Sequence, residues 1–167
     1  MGFGVLGISG NTTEVLSIGV MKLAKLSSHY SRLEKIYSRI SSLISEFAIS
    51  EMAIEAPFYG NNVQSMLKLG RAQGVCIAAA MAAQVPVTEY APLKVKMSVT
   101  GVGRASKQQV ADMLERLLHF KTSEKYLDAT DALAVAFCHF NNSRIIVKSA
   151  GYKSWGDFVN KNPDRAK

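Results

Sequence analysis

Between Arg32 and Phe47 the apolar residues Leu33, Ile36, Tyr37, Ile40, Leu43, Ile44 and Phe47 recur at steps of three and four, with Arg32, Glu34, Lys35, Arg39 and Glu46 set between them. That period gathers the apolar side chains into one stripe and predicts an amphipathic helix packed on a sheet. Ahead of it, Gly2 to Ile8 and Val15 to Leu23 read as strands, joined by Ser9-Gly10-Asn11-Thr12, whose residue types favour a turn. The two runs predict a β-hairpin. After the helix, Glu51-Met52-Ala53-Ile54-Glu55 is a short apolar strand halted by Ala56-Pro57, and a Gly60-Asn61-Asn62 loop leads to a long helix from about Val63 to Ala83. That helix carries Gly70, Ala72, Gly74 and Ala78 to Ala80, small residues that predict close packing against the sheet or another helix.

Val85 to Tyr90 reads as a further strand, with Pro86 placing it at a strand start or an edge. Leu93 to Val99 predicts a short basic helix bearing Lys94 and Lys96, which Gly101-Val102-Gly103 breaks. Ser106 and Gln109 have capping-box spacing and open a helix to about Phe120. The last helix, Leu127 to Phe140, is apolar nearly all round except at Asp128, Asp131 and His139, so burial is expected. Strands alternating with helices predict an α/β domain over residues 1–142. Residues 143–167 read as an appendage in which Trp155, Phe158 and Val159 share one helical face.

A chain of 167 residues with 48% hydrophobic content suits one domain with a proper core and excludes wholesale disorder. Twenty Lys and Arg against 13 acidic residues give a formal charge of +7, which favours a polyanionic partner. Cys76 and Cys138 lie in apolar stretches and read as buried thiols. The longest apolar run, Val75 to Ala83, is about half of what a bilayer requires, and Gly2-Phe3-Gly4-Val5-Leu6 is not a basic leader. The expected setting is cytoplasmic, away from membranes.

Candidate chemistry rests on three carboxylates. Glu55 closes a short apolar strand, while Asp128 and Asp131 stand about one turn apart at the start of the apolar last helix. An aspartate at a helix start stabilises the helix on its own, and a strand-end glutamate is often simply solvated. Together, beside uninterrupted apolar sequence, they point to a shared divalent cation. Oxygen donors without a histidine or cysteine cluster favour magnesium or manganese over zinc. His29, His119 and His139 fit no ligand pattern. Paired magnesium ions held by carboxylates can activate water and stabilise the leaving oxygen in phosphodiester hydrolysis, which gives the basic balance a reason.

Four runs resemble those of RuvC, the bacterial Holliday junction resolvase family, and stand in its order: Ala53-Ile54-Glu55-Ala56-Pro57-Phe58, Leu67-Lys68-Leu69-Gly70-Arg71-Ala72-Gln73-Gly74, Glu89-Tyr90-Ala91-Pro92 and Asp128-Ala129-Thr130-Asp131-Ala132-Leu133-Ala134. The resemblance covers Met1 to Phe140. It implies an RNase H-like fold, a mixed five-stranded sheet flanked by helices, acting as a homodimer that cuts four-way DNA junctions symmetrically with two magnesium ions per site. It also implies RuvA and RuvB branch-migration proteins as partners. Carried over by position, Glu55, Asp128 and Asp131 match acidic metal ligands, Phe58 matches an aromatic that stacks at the opened junction, and Lys96 and Lys107 match basic residues near the scissile phosphate. Phe58 also reads as a core or interface phenylalanine, the two lysines also read as ordinary surface residues, and Arg71 reads as structural.

The family's first strand ends in Gly-Ile-Asp-Pro-Gly, whose aspartate bridges the metals, and no such run occurs here. Either Gly7-Ile8-Ser9-Gly10 is that motif with Ser9 in place of aspartate, or Gly2-Phe3-Gly4-Val5-Leu6 is already the family's second strand. The separation from Gly2 to Glu55 and the turn character of Ser9 to Thr12 favour the second alignment. The expectation is a chain lacking its first strand, folding poorly alone and holding an incomplete two-metal site. A junction-binding protein that does not cut is the alternative function.

Overall fold

The structure is a computed structural model, and it describes residues 1–10, 12–57, 62–121 and 127–149, with side chains described as far as 143 in the last helix. The hairpin forms as its alternation predicts: β1 (Gly2–Ser9) pairs antiparallel with β2 (Thr12–Val20). Between Val5 and Leu6 the register shifts, with Val5 opposite Ser17 and Leu6 opposite Val15, so Leu16 is the extra residue of a bulge. The amphipathic stripe becomes α1 (His29–Glu46), which starts earlier than its apolar period because the Ser28 hydroxyl accepts from the Ser31 amide and caps it. Ile36, Ile40 and Leu43 are its buried face.

The acidic strand is β3 (Met52–Glu55), and α2 (Val63–Ala82) follows, capped by the Asn62 side chain. β4 (Val87–Tyr90) runs parallel to β3, pairing Met52 with Val87 and Glu55 with Tyr90. The remaining elements are α3 (Pro92–Thr100), α4 (Lys107–Leu118) and α5 (Leu127–Ser149). Ser106 and Gln109 form the predicted capping box at the start of α4.

Two small cores sandwich the strands. Val95 and Val99 of α3, Val110 and Leu114 of α4, and Leu133 and Val135 of α5 form one, with Leu6, Val15 and Ala53 packed against it. Ile36 and Ile40 of α1 and Cys76 and Ala79 of α2 form the other, with Phe3, Met52 and Ile54 against it. Met52 and Ile54 thus face α1 and α2, and Ala53 faces α5, as the alternation of a strand requires. Cys76 and Cys138 are buried free thiols. Burial pushes the Cys76 thiol up to about 11.

Three features depart from expectation. First, the strands make two separate two-stranded sheets, β1-β2 and β3-β4, rather than one continuous sheet among the described residues. Second, α5 runs past Phe140, where its apolar pattern had been expected to end it. Asn142 bonds back to the Cys138 carbonyl at 2.7 Å and the Ser143 hydroxyl to the His139 carbonyl at 3.0 Å, so polar residues that read as a helix end stay helical. Third, Gly70 and Gly74 do not receive a neighbour, since a Cβ on either would meet nothing within 4 Å. The residues of the expected 155–159 helical face lie outside the described ones.

Close approach does occur at the glycines of β1. A Cβ on Gly2 would lie 1.8 Å from the Asp128 carbonyl oxygen, and one on Gly4 would lie 3.0 Å from the Leu133 Cα. β1 therefore rests directly on the α5 backbone, and its first residue fixes where Asp128 stands.

Candidate active site

Alternation along β3 sends Glu55 to the same face as Ala53, towards α5, whose first turns carry Asp128 and Asp131. Glu55 lies close enough to Asp131 to feel its charge. Burial, and then the Asp131 charge, raise the Glu55 carboxyl above its ordinary value, while Lys107 and Lys96 pull it back. Lys107 stands at the first position of α4, where the Ser106 cap directs it across to α5. Its ammonium donates to Asp131 Oδ2 at 2.5 Å and lies 4.0 Å from Asp128 Oδ1. The hydrogen bond to Asp131 raises its pKa, with the surrounding carboxylates adding to that and partial burial opposing it.

The structure thus brings together Glu55, Asp131, Lys107 and, further out, Asp128 and Lys96. Asp128 is exposed and Lys96 half-buried. Phe58 lies outside the described residues. Arg71, read as structural, is exposed on α2. Among the described residues, no three acidic, histidine or cysteine side chains converge closely enough to hold a metal ion together. The donor chemistry still suits a hard cation: carboxylates alone, two of them facing each other at an energetic cost, with an ammonium already drawn to the same point.

His139, to which sequence patterning assigned no role, is tied at both ring nitrogens. Nδ1 lies 2.8 Å from the Tyr90 hydroxyl and Nε2 lies 2.5 Å from Glu51 Oε2. Tyr90 is buried, and burial followed by the Cys138 and Glu51 charges raises its phenol pKa. Lys94 sits over the Tyr90 ring at 5.2 Å.

A cleft of about 1140 Å³ opens beside the carboxylates. It is lined by β1 from Gly2 to Ile8 and by β3 from Met52 to Glu55, with Ala132, Val135 and His139 of α5 on one face and Ile40, Leu43 and Cys76 on the other. No helix among the described residues is long and apolar enough to cross a membrane.

Strands of mixed direction between two helical layers, with carboxylates at a strand end and at the start of the helix beneath, define an α/β protein of the RNase H-like class. The family model for "Crossover junction endodeoxyribonuclease RuvC" matches residues 1–139, and the chain belongs to the RuvC family. It is 53% identical to the crossover junction endodeoxyribonuclease RuvC of Bacteroides fragilis over 100% of this chain and 90% of that protein. It is 54% identical to that of Cytophaga hutchinsonii, over 100% of this chain and 82% of the relative. Among solved structures, Thermus thermophilus RuvC superposes with a TM-score of 0.76 at 30% identity, covering 86% of this chain and 89% of that one. The same protein in complex with a Holliday junction substrate gives 0.77 at 28% identity, covering 86% and 88%.

Proposed function

We propose that this chain acts on four-way DNA junctions as a magnesium-dependent endonuclease of recombination and repair, cutting symmetrically as a homodimer in the cytoplasm. The observation that carries the reading is the meeting of Glu55, Asp131 and Lys107 at one end of the cleft. Glu55 and Asp131, with Asp128 beside them, are the residues that would hold magnesium, or manganese, and the family pattern implies two ions per site. The metal, when bound, supplies the charge that activates water and stabilises the leaving oxygen.

The chain's own residues do the rest. Lys107 and Lys96 set positive charge where a phosphate must sit, and such contacts position the backbone without reading sequence. Lys107 donates to Asp131 Oδ2 in this conformation, which keeps its ammonium beside the carboxylates. Phe58 is assigned to stacking on a base at the opened junction. The exposed early turns of α2, with Val63, Leu67 and Leu69 beside the open faces of Gly70 and Gly74, suit a second copy of the chain. RuvA and RuvB are the partners implied by the family resemblance.

A fourth oxygen donor is assigned to a strand lying in the cleft between β1 and β3, where the family pattern carries its Gly-Ile-Asp-Pro-Gly aspartate. Without such a donor, the second reading is a junction-binding protein that does not cut.

Gel assays on a synthetic four-way junction test both readings. A form carrying the extra strand should cleave with magnesium, and Asp131→Asn in that form should abolish cleavage while leaving junction binding largely intact, because binding rests on phosphate contacts. Equal loss of binding and cleavage would overturn this division of labour. Cleavage by the 167-residue chain at the rate of the extended form would overturn the need for the fourth carboxylate.

A further inference from the structure

The interval from Glu51, just ahead of β3, to Glu55 at its end matches the interval between His139 and Asp131 on α5. Four strand residues span about 13 Å, at roughly 3.3 Å each. Eight helical residues span about 12 Å, at 1.5 Å each. Alternation puts Ala53 and Glu55 on one face of β3, with Glu51 in step just ahead of it, and steps of four put Asp131, Val135 and His139 on one side of α5. Three rungs then follow in opposite chain directions. Glu51 bonds His139 at 2.5 Å, Ala53 packs against the cluster that includes Val135, and Glu55 and Asp131 line the same cleft.

We infer that His139 is a positioning residue, clasping the start of β3 and the end of β4 to α5 so that Glu55 is held opposite Asp131. This rests on the proposed reading of those two carboxylates as metal ligands. The clasp is specific in its bonding. The Tyr90 hydroxyl donates to Nδ1 when Nε2–H donates to Glu51, so one neutral imidazole satisfies a buried phenol on β4 and a carboxylate beside β3. β3 and β4 are joined by their own ladder, including Met52 N–H to the Pro86 carbonyl at 2.9 Å and Ala56 N–H to the Tyr90 carbonyl at 2.8 Å. The two strands therefore move as a unit, and their link to α5 sets the register.

Because β3 is four residues long, apolar packing alone offers only Ala53 as a contact on this face. A small methyl is a poor stop against sliding. A slip of one strand residue moves Glu55 about 3.3 Å, more than the tolerance of a metal ligand, and turns the wrong face to α5.

The test compares His139→Leu, which keeps bulk but removes both bonds, with His139→Gln, whose amide can accept from Tyr90 and donate to Glu51. Manganese is the probe, titrated into the chain with affinity read calorimetrically. Methyl NOEs from Ala53 to Val135 and Leu133 read the register without metal. The expected result is manganese affinity about tenfold weaker in His139→Leu, at the low end for residues that orient ligands without touching the ion, with those NOEs weakened. His139→Gln should restore both, and Tyr90→Phe should fall between.

Unchanged NOEs in a folded His139→Leu chain would overturn the positioning role. If His139→Leu does not fold, failure of His139→Gln to keep the wild-type NOEs overturns it instead. If manganese binds none of the chains while the NOEs respond as expected, the positioning role stands and the metal-ligand reading of Glu55 and Asp131 fails.

Discussion

Glu55 is held at odds with its own charge. Burial and the neighbouring Asp131 raise its carboxyl above the ordinary 4.5, so the folded chain keeps that proton at pH values where the unfolded chain has released it. Between the unfolded and folded pKa values the native state binds more protons, and stability falls as pH rises through that window. Glu55→Gln imitates the protonated form. With chelator present, the variant should be more stable than the parent at pH 7, and the difference should vanish as pH falls below about 4.5. Thermal melts across that range check it, and a variant less stable at pH 7 would mean that Lys107 and Lys96 outweigh burial. Glu55, Asp128 and Asp131 were legible in the sequence because charge stood against apolar runs. His139 was not, since its partners Tyr90 and Glu51 lie 49 and 88 positions away and no local period links them.

Local signals located the elements and misplaced some of their ends. The capping box of α4 was readable because both its bonds are made within four residues: the Ser106 hydroxyl accepts from the Gln109 amide at 3.2 Å, and Gln109 Oε1 accepts from the Ser106 amide at 2.8 Å. The cap matters to the site because the next residue is Lys107. Ser106→Ala should cost about 1 kcal/mol, measurable as a lower urea midpoint with unchanged slope. A loss below a few tenths of a kcal/mol would show that packing of Val110 and Leu114 alone holds the helix start. The end of α5 was misread for the opposite reason. Asn142 and Ser143 favour turns by composition, yet their side chains return to carbonyls of the preceding turn, a choice that burial of α5 decides.

At the scale of the whole molecule, the two sheets share a cleft, and among the described residues each presents an unpaired edge to it. Gly2, at the start of β1, meets the Asp128 backbone, whereas Glu55, at the end of β3, faces Asp131, so β1 and β3 run in opposite directions across the cleft. One strand between them would pair antiparallel with one and parallel with the other. Helices cover both faces there, with Val135 on one side and Ile40 and Leu43 on the other, so such a strand must be apolar on both faces. The Gly-Ile-Asp-Pro-Gly aspartate at its end would then emerge beside Glu55 and Asp131. Appending such a strand ahead of Met1 should raise the melting temperature and slow amide exchange along β1 and β3 together, while the 167-residue chain should self-associate through its open edges. Hydrogen exchange with sedimentation decides the matter: protection confined to β1, or an unextended chain that stays monomeric with both edges already protected, would show that the two sheets need no strand between them.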